Sequence, residues 1–358
     1  MISLFYPQLY KDEWLEELGK VFDTRWIGQG PLVDKFETKF GNKFGFKYPL
    51  AVNSGTAALE LAYHLIGISK GDEILTPVFS CTATNIPLAR RGAKLKFIDV
   101  NQDLTADYQD IARKISPKTK AIVVVTLGGL PVDRRIFKLA KKHQIPVVVD
   151  AAQSVGIPEP HGDYVCYSFQ AIKHFTTADG GMLVVRNRQE YHRAKKLRWF
   201  GIDREAKKRA NWKWQVNHQM ALDIEELGFK YHMHDVAAAM GLVGLRHSDE
   251  VLRRRQKLCA AYDRLLTGLP TISGGACWLF AILVDNRNAL IDHLKKHGIE
   301  TDLVQIRNDA FSVFGGEVDL PNMAKIEDQY LYLPLHPSLS LQDIKYIASI
   351  INKFVSSK

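Results

Sequence analysis

Short apolar runs bounded by Gly, Pro and Asp recur through the first half of the chain, at residues 48–52, 73–76, 94–100, 121–127, 145–150, 164–169 and 181–186. Runs of that length read as buried strands. Segments of helical period, 57–66 and 133–144, lie between several of them, which predicts alternating strand and helix around a largely parallel sheet. From Met233 to Leu266 the pattern becomes helical and strongly charged. A strand-like run at 277–284 and a helix at 286–297 follow. The last helix is expected to begin at Ser340, with Asp343 as its N-terminal partner, and to continue amphipathically through Phe354. The pattern therefore predicts an α/β chain: a large domain over 1–240 and a smaller C-terminal α/β domain over 241–358, entered through a long connecting helix.

A chain of 358 residues with 46% hydrophobic content can bury a substantial core, which excludes disorder. No apolar run approaches the roughly twenty residues a membrane helix needs, and no N-terminal stretch has signal-peptide character, so a cytoplasmic protein without membrane contact is expected. Cys81, Cys166, Cys259 and Cys277 are scattered without C-x-x-C pairing, which argues against a disulfide framework or a structural zinc site. The net charge of +9 favours anionic partners. The densest basic stretch, 186–213, has eleven Lys or Arg against three acids, with Trp199, Phe200 and Trp212 interleaved and Trp214 beside it. That composition suits nucleic acid. A solvated face whose aromatics pack inward is the favoured alternative, so nucleic acid is not the expected partner.

Three segments have matched chemistry. Lys173 follows an apolar strand and precedes the paired glycines Gly180-Gly181, a placement that suits a Schiff-base lysine able to move protons at carbon. Asp150 ends the run Pro146-Val-Val-Val149, where a carboxylate can keep a pyridine nitrogen protonated, and Gln153 can reach a ring hydroxyl. Ser54-Gly55-Thr56 opens a helix, where backbone N–H groups and the helix dipole favour a phosphate, and Ser168 can add a hydroxyl. Taken singly, each has an ordinary reading: a surface lysine, a helix-capping aspartate, a Ser or Thr cap. Together they specify pyridoxal 5′-phosphate, with its pyridoxamine form as the amine carrier. Ligands of parallel sheets sit at the strands' C-terminal edges, so the three segments are expected to meet in one crevice. His232-Met-His234 lacks the companions of a metal site, and no metal is expected. No Walker loop, G-x-G-x-x-G or G-x-S-x-G elbow is present.

These residues resemble the DegT/DnrJ/StrS family of sugar aminotransferases over nearly the whole chain. The resemblance runs from Gly28-Gln-Gly30-Pro31, through 53–59, Gly71-Asp-Glu-Ile-Leu-Thr-Pro77, 150–153 and the lysine segment, to Gly228-Phe-Lys-Tyr-His-Met-His-Asp235 and Leu333-Pro-Leu-His-Pro337. It implies the aspartate-aminotransferase fold, pyridoxal-phosphate fold type I, in a homodimer with shared active sites. Lys173 is then the catalytic lysine, Asp150 the pyridinium partner, Gln153 the ring-hydroxyl contact, and Gly55, Thr56 and Ser168 phosphate ligands. L-Glutamate is the implied amine donor and a nucleotide-linked keto-deoxy sugar, aminated at C3 or C4, the acceptor. Lys230 stands where many members have an asparagine that reaches the partner's phosphate. Either Cys81 or Phe79 takes the place of the aromatic residue that stacks on the ring. A related branch, the sugar 3-dehydratases, replaces the lysine with histidine; here Lys173 is present and His174 follows it. His174, Arg307 and Asn308 are candidate substrate contacts, a salt-bridged turn being the alternative for the last two. A dehydratase or a non-catalytic pyridoxal-phosphate or nucleic-acid-binding regulator remains the competing function.

Overall fold

The computed structural model describes residues 1–157 and 161–356. Seven strands form the main sheet: β1 (Pro49–Val52), β2 (Glu73–Pro77), β3 (Lys94–Ile98), β4 (Thr119–Val125), β5 (Val147–Asp150), β6 (Tyr164–Ser168) and β7 (Gly181–Val185), in the order β1-β7-β6-β5-β4-β2-β3. The pairs β3–β2, β2–β4, β4–β5 and β5–β6 are parallel. β7 runs antiparallel to both of its neighbours.

Alternation along the strands sends side chains to two cores, one on each face. Val147 and Val149 of β5 join Phe36, Phe40 and Leu242 on one face, while Val148 joins Leu59, Tyr63 and Leu197 on the other. Helices cover both faces, which is why these strands read as continuous apolar runs in the sequence. Every strand expected in this region is present, with ends that differ by a few residues.

Beyond a short exposed hairpin, β8 (Gln215–Val216) and β9 (Gln219–Met220), the helix Asp235–Leu265 leads out of the main sheet. It enters a smaller layer built on β10 (Thr271–Ile272), β11 (Phe280–Leu283) and β12 (Tyr330–Leu333), an antiparallel three-stranded sheet. Phe280 and Ile282 of β11 pack with Tyr262 of the long helix and with Ile344 and Ile347 of the last helix, Leu341–Ser356. Ser340 and Asp343 make the expected reciprocal cap, the Ser340 N–H donating to Asp343 Oδ2 at 2.7 Å and the Asp343 N–H to Ser340 Oγ at 3.1 Å. The strand expected from Cys277 starts at Phe280, because Cys277 has φ of +47° and the Trp278 N–H donates instead to Gly128 O at 2.8 Å.

Among the described residues, no helix is long and apolar enough to cross a membrane, and no group of His, Cys, Asp and Glu side chains is arranged to hold a metal ion. In the basic stretch the aromatics do not all pack inward, contrary to expectation: Phe200, Trp212 and Trp214 remain about two-fifths exposed. Arginines and lysines cover them, Arg204 lying 4.8 Å from the Trp199 ring and 5.0 Å from the Trp212 ring.

Candidate active site

β5 and β6 are adjacent and parallel, so Asp150 and Ser168 end on the same edge of the sheet. β7 lies between β6 and β1, and its first residue, Gly181, pairs with both Ser168 and Val52. A Cβ on Gly181 would stand 2.4 Å from Ser54 O and 2.8 Å from Gly55 N. The glycine lets the start of the helix Gly55–Ile66 press against the sheet edge. Gly55 in turn lies against Ser168; a Cβ there would come within 2.9 Å of Ser168 Cβ and 3.2 Å of its Oγ. Ser54 caps the helix, its Oγ accepting from the Ala57 N–H at 3.0 Å. The ordinary capping role thus belongs to Ser54, while Thr56 is exposed beside it. The result is a helix N-terminus, a side-chain-free residue and a serine hydroxyl at one place, the arrangement that receives a phosphate.

Asp150 is buried at the neighbouring strand end. Thr84 Oγ1 donates to its Oδ2 at 2.7 Å and the Ala152 N–H to its Oδ1 at 3.1 Å. Burial raises the carboxyl above its ordinary value, opposed by those two donors and by the charge of Lys173. Such a group is better satisfied when a cation meets it, as a protonated pyridine nitrogen does. Gln153 is buried three residues on, and its Oε1 accepts from the Gly128 N–H at 2.6 Å, which leaves the amide NH2 as the end available to an oxygen of a ligand.

Lys173 lies in the turn after β6, where its N–H donates to Gln170 O at 2.9 Å. Its Nζ is 3.7 Å from the centre of the Trp278 ring. Burial brings the amine down to about 8, against the pull of Asp150 and then Cys81, with Arg255 reinforcing the fall. A lysine in that range supplies free amine near neutrality, which a nucleophile and proton carrier requires. Phosphate cradle, carboxylate, amide and amine thus fit pyridoxal phosphate, each by a separate feature.

The remaining candidates divide. Cys81 is exposed on the loop after β2 and acts on the charge of Lys173, so it borders the crevice. Phe79 is buried in the core with its ring against Tyr330 at 5.0 Å, while Cys81 is the one of the two that faces the crevice. His174 is 1% exposed, donates from Nε2 to Ala276 O at 2.9 Å and is held neutral by burial, its pKa falling to about 3. The Asn308 amide is fully buried, donating to Ser80 O at 2.7 Å and accepting from Asn85 Nδ2 at 2.8 Å, and so ties its turn to the loop after β2. Arg307 is occupied by Asp309 at 2.7 and 2.8 Å and Glu327 at 3.0 Å. Arg307 and Asp309 thus form a buried salt-bridged turn with Asn308 between them. Lys230 is exposed, with Nζ 5.8 Å from the Phe200 ring and its backbone oxygen accepting from Asn53 Nδ2 at 3.2 Å. His234 Nδ1 caps the long helix by accepting from the Ala237 N–H.

Sequence reasoning missed Thr84, Gly128 and Trp278. Thr84 had a usable signal, since the polar run 80–85 follows a strand at its C-terminal end. Trp278 had none, because it reaches Lys173 from the second sheet.

Comparison with known proteins agrees with this geometry. The family model for the DegT/DnrJ/EryC1/StrS aminotransferases matches residues 8–352. The chain is 30% identical to GDP-perosamine synthase of Escherichia coli O157:H7 over 100% of this chain and 99% of that one. It is 28% identical to the dTDP-4-dehydro-2,3,6-trideoxy-D-glucose 4-aminotransferase of Saccharopolyspora spinosa, covering 99% and 97%. The solved sugar aminotransferase CalS13 from Micromonospora echinospora superposes with a TM-score of 0.89 at 30% identity, covering 99% of this chain and 100% of that one. The chain belongs to the DegT/DnrJ/EryC1/StrS aminotransferase family and is a pyridoxal-phosphate-dependent sugar aminotransferase.

Proposed function

We propose that the protein transfers an amino group from L-glutamate to the keto carbon, C3 or C4, of a deoxy sugar linked to a nucleotide, for glycan or polysaccharide synthesis. The observation that carries the reading is the meeting of Lys173, Asp150 and the Gly55–Ser168 cradle at one sheet edge, with the lysine amine lowered to about 8. When bound, pyridoxal phosphate supplies an electron sink for the carbon whose proton must be removed. Gly55, Thr56 and Ser168 would hold its phosphate, Gln153 its ring hydroxyl, and Asp150 the proton on its ring nitrogen. Lys173 would supply the free amine that takes and returns the proton at the substrate carbon. Amination at C4 is supported by the Saccharopolyspora relative, whose name specifies a 4-aminotransferase, and the basic surface suits a nucleotide diphosphate.

The same proposal includes a homodimer with shared sites. Its support is the set of exposed apolar residues on and beside the β8–β9 hairpin, Trp212, Trp214, Met220 and Leu227, together with exposed Trp26 and Ile27. Lys230, which is exposed, is then the residue that would reach the partner's cofactor phosphate. The retained lysine disfavours the dehydratase reading, and we place the reaction in the cytoplasm.

The test is a two-step assay on purified protein loaded with pyridoxal phosphate. Excess glutamate is expected to convert the visible absorption band to the near-ultraviolet pyridoxamine form. Addition of a nucleotide-linked 4-keto-6-deoxy sugar should restore it with formation of an amino sugar. A band that ignores glutamate while DNA binds in a salt-sensitive manner would instead support the regulator.

A further inference from the structure

Lys173 is not left loose in the crevice. Trp278, from the segment just before β11, lies against it with the ring centre 3.7 Å from Nζ, and the tryptophan is itself fixed from several directions. Its indole N–H donates to Ile172 O at 3.1 Å, one residue before the lysine. Its backbone N–H donates to Gly128 O at 2.8 Å, and its backbone oxygen accepts from Arg255 Nη1 at 3.1 Å. The side chain is 2% exposed and stacks on Phe5 at 5.8 Å. Gly128 is also the donor to Gln153, and its φ of +62° lets one peptide turn serve both partners. Four chain segments therefore converge to hold one aromatic face over one amine. A cation over an indole face is attracted by the ring quadrupole, most strongly where both are shielded from water. The charged or titratable groups around the amine are Asp150 at the end of β5, Cys81 after β2, Arg255 on the long helix and the adjacent buried His174.

We propose that Trp278 is a positioning residue for Lys173: its indole face seats the ε-ammonium whenever the lysine is protonated and not bonded to the cofactor, so that the base leaves from and returns to one place in the crevice. The proposal rests on the reading of Lys173 as the Schiff-base lysine. It assigns the second sheet a part in the chemistry, since moving the segment before β11 moves the seat of the base.

The experiment uses the apoprotein, so that its outcome does not depend on the amine donor. Competitive labelling with trace acetic anhydride across pH, with the Lys173 peptide quantified by mass spectrometry, gives the midpoint of amine deprotonation. Wild type, Trp278→Phe, Trp278→Leu and protein carrying mono-, di- and trifluorinated tryptophan are compared. Fluorination keeps the ring's shape and drains its face of charge. The midpoint is expected to fall stepwise along the fluorinated series, by roughly one unit in all, and by a similar amount in Trp278→Leu, while Trp278→Phe keeps most of the wild-type value. Capture of pyridoxal phosphate by the apoprotein, compared at a pH above every amine midpoint so that protonation does not contribute, should slow about tenfold in Trp278→Leu and less than about threefold in Trp278→Phe. A midpoint indifferent to fluorination overturns the proposal, and the fluorinated series decides alone if Trp278→Leu fails to fold. Wild-type apoprotein whose Lys173 does not capture the cofactor would sink the parent reading, a result separate from the labelling midpoints.

Discussion

Thr84→Val removes one hydrogen bond and little else. The valine matches the threonine in size, and the two backbone contacts of residue 84, its N–H to Cys81 O at 3.0 Å and its carbonyl oxygen accepting from Tyr63 Oη at 2.9 Å, do not involve the lost hydroxyl. What disappears is the 2.7 Å donation to Asp150 Oδ2, one of two hydrogen bonds that oppose the burial of that carboxylate. A hydrogen bond to a charged acceptor contributes roughly 1.5–3 kcal/mol, which is about one to two pKa units at 1.36 kcal/mol per unit. The sign follows directly: the donor stabilises the ionised form, so its loss moves the already raised Asp150 pKa further up. A carboxylate that is protonated more of the time holds the ring-nitrogen proton less firmly. The assay is the single-turnover glutamate half reaction followed by absorbance across pH. Thr84→Val should slow it about 10- to 100-fold and shift the acid limb of the rate profile up by about one to two units. Thr84→Ser, which keeps the hydroxyl, should restore both. A Thr84→Val enzyme within twofold of wild type across the profile would refute the claim that Asp150 works through its charge.

Three further outcomes follow from particular contacts. Gly55→Ala would place a methyl 2.9 Å from Ser168 Cβ, so cofactor affinity should fall by at least about tenfold, measured by fluorescence titration, while the fold survives. Asn308→Ala leaves Ser80 O and Asn85 Nδ2 without their partner in a dry interior; unfolding should become easier by about 2–4 kcal/mol in denaturant titration, with the half reaction persisting in the remaining folded protein. His174 is held neutral with a pKa of about 3, so below about 6.5 the unfolded chain takes up a proton that the folded one refuses, and stability falls with pH by up to about 1.4 kcal/mol per unit. His174→Gln, which retains a donor for Ala276 O, should flatten that dependence between pH 6.5 and 5 in urea titrations.

The strands of the main sheet were legible because both faces are covered, which makes each strand a continuous apolar run with no competing helical period. The candidate cofactor residues could be picked out for a related reason: they stand at strand ends and a helix start, positions that sequence punctuation marks. Asp150 follows three valines and Gly55 opens a helix. The contacts that failed depend on tertiary pairing instead. His174 adjoins the lysine in sequence, yet the turn after β6 points it into the interior against Ala276 O. Phe79 sits at the right strand end, but it is packed against Tyr330 from a strand some 250 residues away. For Arg307 the salt-bridged turn was legible through Asp309, two residues on, while its second partner, Glu327, lies twenty residues away and beyond any local pattern.

The central claim is that Lys173 carries the cofactor. Holoenzyme reduced with borohydride, digested and sequenced by mass spectrometry should bear a phosphopyridoxyl group on the peptide containing Lys173, and Lys173→Ala should bear none and lose the glutamate response. A label on another lysine, or a visible band that survives in Lys173→Ala and still responds to glutamate, would contradict the account.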